Sequence, residues 1–570
     1  MYDLVIRGGS IIDGTGEDAF TGDIAVENGI IADVGSKLGP GKREVHADGA
    51  IVTPGFVDAH THYDGQVTWD PDLTPSSWHG VTTIVMGNCG VGFAPARPTE
   101  REFMIRVMEG VEEIPGAALE EGMTWNWETF PEYLDAIDAQ ERAIDVAAQV
   151  PHCALRCYVM GEERALDDQA TPDDIAEMTR LTEEALRAGA VGFSTSRTMI
   201  HKVKNGPVVP GTHCHPEELL GIADAIKNAG HGVYQMISDY MGKDPDYPWM
   251  KEIARTTGGP LVFTLAQMPQ APDDYKHVLS ALKDTYETDG LDIRAAVPWR
   301  PPGVLLGLQA SLNPFLTHPS FGPLRKLSHA DRLAAMRDSD VRDRILSEEA
   351  TVKDPFVRRL LTDFANMFPL GDPPDYEPAK EDSIEARAAR SNIEPNALCY
   401  DLLLQDSGKQ FLYFPLANYA SFNFDALYEM MQHTRSTASL SDGGAHVGTV
   451  SDASFTTFML THWVRDRQRG ETIRLEDAIR KQTFDTANLY SMHDRGVIAK
   501  GKRADLNVID FDGLHLHPPY MAFDLPTGGK RLLQKADGYH ATFVAGEMIT
   551  ENGEITGARP GKLVRGPQHG

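Results

Sequence analysis

Apolar and polar positions alternate in short runs through the first fifty residues. Segments 2–7, 11–13, 23–27, 30–34 and 44–47 are rich in β-branched residues and are separated by Gly, Asn and Asp. This pattern predicts a small antiparallel sheet. At 51–58, IVTPGFVD, alternation gives way to an apolar strand that runs into a loop carrying AHTH. Beyond it, strand-length apolar runs alternate with helical stretches. Strands are expected at 82–86, 154–158, 190–194, 232–237, 261–265, 293–297 and 439–440, and helices at 172–187 and 217–229 among others. Thr171 followed by Pro172 and two aspartates is a helix start: a capping hydroxyl, a proline where no amide proton is needed, and acid in the first turn. With the strand ending near Asp58 there are eight strands joined mostly by helices. That predicts an α/β fold, a (β/α)8 barrel, over residues 54–485.

Two stretches exceed what one strand–helix unit needs, 100–150 and 300–435. Both are expected as insertions at the end of the barrel where lids form. Strand character returns at 504–509 and 542–549. Neither chain end is long enough to bury a core alone, so 1–53 and 486–570 are expected to share one sheet-rich domain.

Composition narrows the function. The chain of 570 residues carries 83 acidic and 53 basic residues, a formal charge of -30. Such a surface repels phosphate backbones, and no basic tract offsets it, so nucleic acid is not expected as a partner. The 5 cysteines are sparse and odd in number, which favours a reducing compartment over a disulfide framework. The opening MYDLVIRGGSIIDG lacks the features of a signal peptide, and no run approaches the roughly 18 apolar residues of a membrane span. A cytoplasmic location, without membrane contact, is the expectation.

Candidate chemistry lies where predicted strands end. His60 and His62 follow the 51–58 run at a spacing that, on extended backbone, puts both imidazoles on one side. Neutral imidazole suits zinc, iron or nickel. Asp58 is placed to orient that loop or an imidazole. Cys89, in VMGNCGVG, ends the next strand, either as a thiolate ligand or as a small buried gap filler. Asp442, in SLSDGG, ends the last strand, which neighbours the first in a closed barrel. A carboxylate there can hold metal and accept a proton from water; the alternative is a turn cap.

The stretches DLVIRGGSIIDGTG, VTPGFVDAHTHYD, GVTTIVMGNCGVGFAP, GAVGFSTS, SDGG and DRGVIAKGKRADLNVID together resemble the amidohydrolase superfamily and, within it, the D-aminoacylase (N-acyl-D-amino-acid deacylase) family. The resemblance is strong at both ends and thin in the middle. It implies a metal-dependent TIM-like barrel flanked by a β-sandwich built from both chain ends. By residue, it implies His60, His62, Cys89 and Asp442 as metal ligands, with Asp442 also the general base. It also implies a histidine after each of strands five and six. Here those regions read GVYQMISDY and LVFTLAQMP, so Gln235 and Gln267 stand near the positions and are candidates to face substrate. The remaining ligands suffice for one zinc ion per chain.

His201 is a candidate to polarise a carbonyl, Arg197 to fork onto a substrate carboxylate, and His446 to contact substrate. Arg300 and Asn88 are further pocket candidates. His213 and His215 precede a helix and suit loop roles. His515 and His517 lie beyond the barrel and are read as structural. The expected activity is hydrolysis of an amide C–N bond in an N-acylated small molecule, an N-acyl-D-amino acid or a relative. Opening of a cyclic amide, such as a hydantoin or lactam, is the second reading, and a non-catalytic scaffold the third. A homo-oligomer is compatible with the sequence.

Overall fold

The computed structural model describes residues 1–239 and 246–569. Eight strands, Phe56–Asp58, Val81–Met86, Asp145–Pro151, Gly192–Arg197, Val233–Ser238, Leu261–Thr264, Ile293–Val297 and Ser436–Ala438, form one parallel sheet in chain order. The sheet curls so that its ends meet: Thr61 bridges Gly443, and the His62 amide donates to the Gly443 carbonyl at 2.7 Å. The strands are largely buried on both faces, which is why they read as apolar runs rather than as alternation. The expected α/β barrel is the fold that forms.

The third strand differs from expectation. Residues 154–158 lie inside a helix, His152–Met160, and the strand is Asp145–Pro151. Cys153, Ala154, Leu155 and Cys157 are all buried, and periodicity cannot separate a short, fully buried helical run from a strand. The 100–150 insertion is therefore shorter than expected. It holds the helices Arg101–Val111, Gly116–Gly122 and Phe130–Asp138, and then rejoins the barrel. The last strand ends at Ala438, before the expected 439–440. The helix Pro172–Ala188 begins as the sequence indicates: the Thr171 hydroxyl accepts from the Asp174 amide, and the Asp174 carboxylate accepts from the Thr171 amide.

The 51–58 run is two strands. Ile51–Pro54 belongs to a separate sheet, and Phe56–Asp58 opens the barrel. Gly55 sits between them because a β-carbon there would lie 2.2 Å from the Thr82 hydroxyl. The separate sheet has nine strands and draws on both chain ends. Ile51–Pro54 pairs antiparallel with Leu506–Ile509, with Val52 opposite Val508. It is mixed, not antiparallel as expected: Tyr2–Ile11 runs parallel to Gly41–His46 and to Ile51–Pro54. Leu4, Ile6, Ile24, Val26, Val52, Val508 and Phe543 form its core.

Within 300–435, a three-stranded sheet (Gly303–Leu306, Phe368–Pro369, Leu412–Pro415) and several helices enclose a core of their own around Leu306, Met336, Leu361 and Phe414. Among the described residues, no helix is long and apolar enough to cross a membrane.

Candidate metal centre

The closing bridge of the barrel builds the site. Past Phe56–Asp58 the chain stays extended, and the Asp442 amide donates to the His60 carbonyl at 3.2 Å. Asp58 secures the junction: one oxygen accepts from the His60 amide at 3.3 Å and the other from the Ser441 hydroxyl. The role expected for Asp58, orienting the loop, matches this geometry. Cys89 arrives from the second strand on a turn held by Gln235, whose Oε1 accepts the Cys89 amide at 2.9 Å. Gly90 follows because a β-carbon there would sit 2.7 Å from the Ser196 nitrogen.

His60 Nε2 lies 3.3 Å from Cys89 Sγ and 3.3 Å from Asp442 Oδ1, and His62 Nε2 lies 3.7 Å from the same oxygen. Donors around a tetrahedral zinc-sized ion, at about 2.0–2.3 Å from it, are about 3.3–3.6 Å apart. The two 3.3 Å spacings fit such an ion, the 3.7 Å one lies just beyond, and His60, His62 and Cys89 offer donor atoms within 4.8 Å of one another. Cys89, Leu440, Asp442 and His446 all have left-handed backbone, with φ of 55°, 66°, 48° and 48°. L-residues adopt this conformation at a cost, and its concentration here marks a site where side-chain placement overrides backbone preference.

Electrostatics point the same way. Burial pushes the Cys89 thiol and the Glu112 carboxyl well up, and raises Asp442 to about 8 and Asp64 to about 7. The charged groups acting on Cys89, Glu112 and Asp442 are all acids. Burial holds His60 and His201 down to about 3, and His62 well below its usual range. Neutral imidazoles beside gathered acids form a donor set that a divalent cation would complete. Asp442 and His446 keep side-chain exposures of 23% and 30% while the His60 and His62 imidazoles keep 1–2%, so the opening lies on their side.

His201 stands beside this cluster with Nδ1 at 3.2 Å from the Ser196 hydroxyl. Glu112, which the sequence reading passed over, reaches in from the helical insertion. Its Oε1 is 3.3 Å from His62 Nδ1 and its Oε2 3.6 Å from His446 Nε2.

Other candidate groups are engaged within the protein. Arg197 shares a strand face with Phe193 and Thr195, opposite Ser194 and Ser196, and therefore points toward the outer helices. There it pairs with Asp246 and donates to the Thr212 and Cys214 carbonyls. The fork expected for a substrate carboxylate is thus engaged in a part-buried pair within the protein. Gln267 also departs from expectation: its amide bridges the Pro272 carbonyl and the Ala420 nitrogen, fastening a loop. Gln235 has its Nε2 buried without a hydrogen-bond partner among the described residues. Asn88 braces backbone at Thr61 and Val85, and Arg300 is buried against Asp452. His213 and His215 are exposed, and His517 pairs with Asp537.

A second group, His152, Cys214 and Glu218, has donor atoms at metal-compatible spacing. Its charges are already met: Arg156 donates to Glu218, and both His152 nitrogens are taken, by Thr195 at 2.8 Å and Glu218 at 2.7 Å. A cavity of about 360 Å³ lies between the 300–435 insertion and residues 523–530. Its Arg332 and Lys530 donate to the carbonyls of Leu308 and Gln309, and none of the cluster residues lines it.

Comparison with known proteins places this architecture. The model of the amidohydrolase family matches residues 43–549. An uncharacterised protein of Mycobacterium tuberculosis is 38% identical over 208 residues, 35% of this chain, and the match spans 34% of that protein's length. The D-aminoacylase of Alcaligenes xylosoxydans xylosoxydans is 26% identical across 99% of this chain and 97% of its own. Among solved structures, a D-aminoacylase with a binuclear metal centre superposes with a TM-score of 0.65 at 22% identity, covering 99% of this chain and 100% of that one. N-acyl-D-glutamate deacylase from Bordetella bronchiseptica, complexed with zinc and a phosphonate inhibitor, gives 0.64 at 23%, covering 99% of each. The fold is shared with both, and with the family model spanning the whole barrel and much of the later part of its flanking sheet, the chain belongs to the amidohydrolase family.

Proposed function

We propose that this protein hydrolyses the amide C–N bond of an N-acylated small molecule, an N-acyl-D-amino acid, with one zinc ion held by His60, His62, Cys89 and Asp442. The observation that carries the reading is that His60, His62 and Cys89 offer donor atoms within 4.8 Å of one another, with Asp442 brought 3.3 Å from His60 and 3.7 Å from His62 where first and last strands meet. The likeness to curated D-amino-acid deacylases over nearly the full chain supports the substrate class.

A divalent ion in this position supplies Lewis acidity, lowering the pKa of water and drawing charge from a carbonyl. Asp442 takes the proton of the attacking water and returns it to the leaving nitrogen. His201, with Nδ1 facing Ser196, presents its other ring nitrogen to a developing oxyanion. Asp58 and Ser441 hold the loop on which Asp442 sits. The products are a carboxylic acid and an amine.

Incubating the zinc-loaded protein with matched N-acetyl-D- and N-acetyl-L-amino acids tests the substrate. Amine release from the D series is expected, and hydrolysis of neither series would reject it. Zinc per chain tests the centre. About one ion is expected in the wild type, with a steep loss in Cys89→Ala at unchanged far-UV circular dichroism. Two ions per chain would require a ligand set beyond these four, and zinc retained in the variant would remove Cys89 from it.

A further inference from the structure

Glu112 is an unusual residue to find in a protein interior. Its side chain is 1% exposed, and an ionised carboxylate pays several kcal/mol to leave water unless something compensates. No Arg or Lys is paired with it among the described residues, and Oε2 has no hydrogen-bond partner. What it faces is histidine: His62 Nδ1 at 3.3 Å and His446 Nε2 at 3.6 Å. His62 Nδ1 is likewise buried, and Glu112 Oε1 at 3.3 Å faces it without completing a well-aligned hydrogen bond.

The chain goes to some length to deliver this carboxylate. The helix Arg101–Val111 buries Phe103, Met104, Val107, Met108 and Val111, which fixes its roll and brings its C-terminal end to the barrel mouth. Glu112 caps the helix, its amide donating to the Met108 carbonyl at 2.8 Å. Glu113 follows with a left-handed φ of 57° and takes the Thr449 hydroxyl. The end of the insertion is thereby pinned to the loop that carries Asp442 and His446.

We infer that Glu112 is a positioning residue: it accepts the Nδ1 proton of His62, which fixes the ring's orientation and leaves Nε2 unprotonated toward Cys89 and Asp442. This rests on His62 being a ligand. A carboxylate behind a ligand imidazole fixes its tautomer and raises its basicity, and loss of such a partner weakens metal binding by about 10–100-fold. The first insertion then does more than cover the barrel, since it supplies the brace for a ligand on another strand.

The test is zinc affinity by chelator competition, with melting of the zinc-free proteins alongside, for wild type, Glu112→Leu and Glu112→Gln. Leucine removes both acceptors at similar volume, and glutamine keeps one acceptor without charge. Expected are zinc affinity about 10–100-fold weaker for leucine and an intermediate loss for glutamine. Zinc-free melting temperatures should be unchanged or higher, because a buried carboxylate is gone. A merely structural glutamate would instead lower zinc-free melting. Should the leucine variant fail to fold, the glutamine variant alone decides. Affinities within twofold of wild type in a folded variant would overturn the inference while leaving the four-ligand centre standing. A wild type that takes up no zinc would overturn both.

Discussion

Asp442→Asn lowers turnover by about 10³-fold or more while the protein stays folded and keeps most of its substrate affinity. Asparagine copies the shape of the carboxylate and its backbone preferences, including tolerance of the left-handed φ of 48° found at this position. It cannot take a proton from water. General acid–base groups contribute about 10²–10⁴-fold, and on the proposed ligand set a metal-binding charge disappears as well. The loss should appear in kcat more than in KM, because proton transfer belongs to the transition state. Steady-state amine release from the proposed N-acyl amino acid substrate measures it, with zinc content reported beside it. Activity within tenfold of wild type at full zinc occupancy would assign the base elsewhere, and His201 would become the first alternative.

Arg495→Leu destabilises the protein by about 3–5 kcal/mol, the range for removing one partner of a buried pair. Arg495 Nη1 lies 2.6 Å from Asp145 Oδ2 and 2.9 Å from the Thr83 hydroxyl, and Arg495 Nε 2.9 Å from Asp494. The side chains of Arg495 and Asp145 are 4% and 1% exposed. Burial alone would lower the guanidinium pKa, but Asp145 and its neighbours raise it overall, so the charge is secure. Arg503 takes the other Asp145 oxygen at 3.0 Å, linking the third barrel strand to the returning chain. Leucine leaves Asp145 short of one cation in the interior. Urea denaturation followed by circular dichroism should show the shift, and adding Asp145→Asn should cost less than the sum of the single changes. A midpoint indistinguishable from wild type would mean that Arg503 alone suffices for Asp145.

What could be read from the sequence was what local chemistry announces. An apolar run followed by HTH, a cysteine among glycines after the next strand, and SDGG after the last each carry their signal within a few residues. Their convergence followed from barrel closure. Glu112 carried no such signal. In EGVEEIPG it stands beside Glu109 and Glu113, and nothing local separates the one that turns inward. Only the roll of the preceding helix decides it. Arg197 was read as lying just past a strand ending at 194, since its neighbours Ser196 and Thr198 have the polarity of a loop, whereas the strand runs on to Arg197. Gln267 was placed at the right barrel end, but its amide serves the 418–420 loop, a partner far away in the chain. The third strand was lost because DVAAQVP has few β-branched residues and the helix after it is as apolar as a strand.

The bridge between Thr61 and Gly443 also dictates when the centre can exist during synthesis. A nascent chain exposes His60, His62 and Cys89 early, yet the strand that brings Asp442 beside them emerges only after the whole 300–435 insertion has been made. Ile51–Pro54 waits longer still for its partner Leu506–Ile509. Ribosome-bound intermediates thus carry His60, His62 and Cys89 without Asp442. On the proposed ligand set, zinc capture would be one of the last events of folding, and it would report that both ends of the barrel have met.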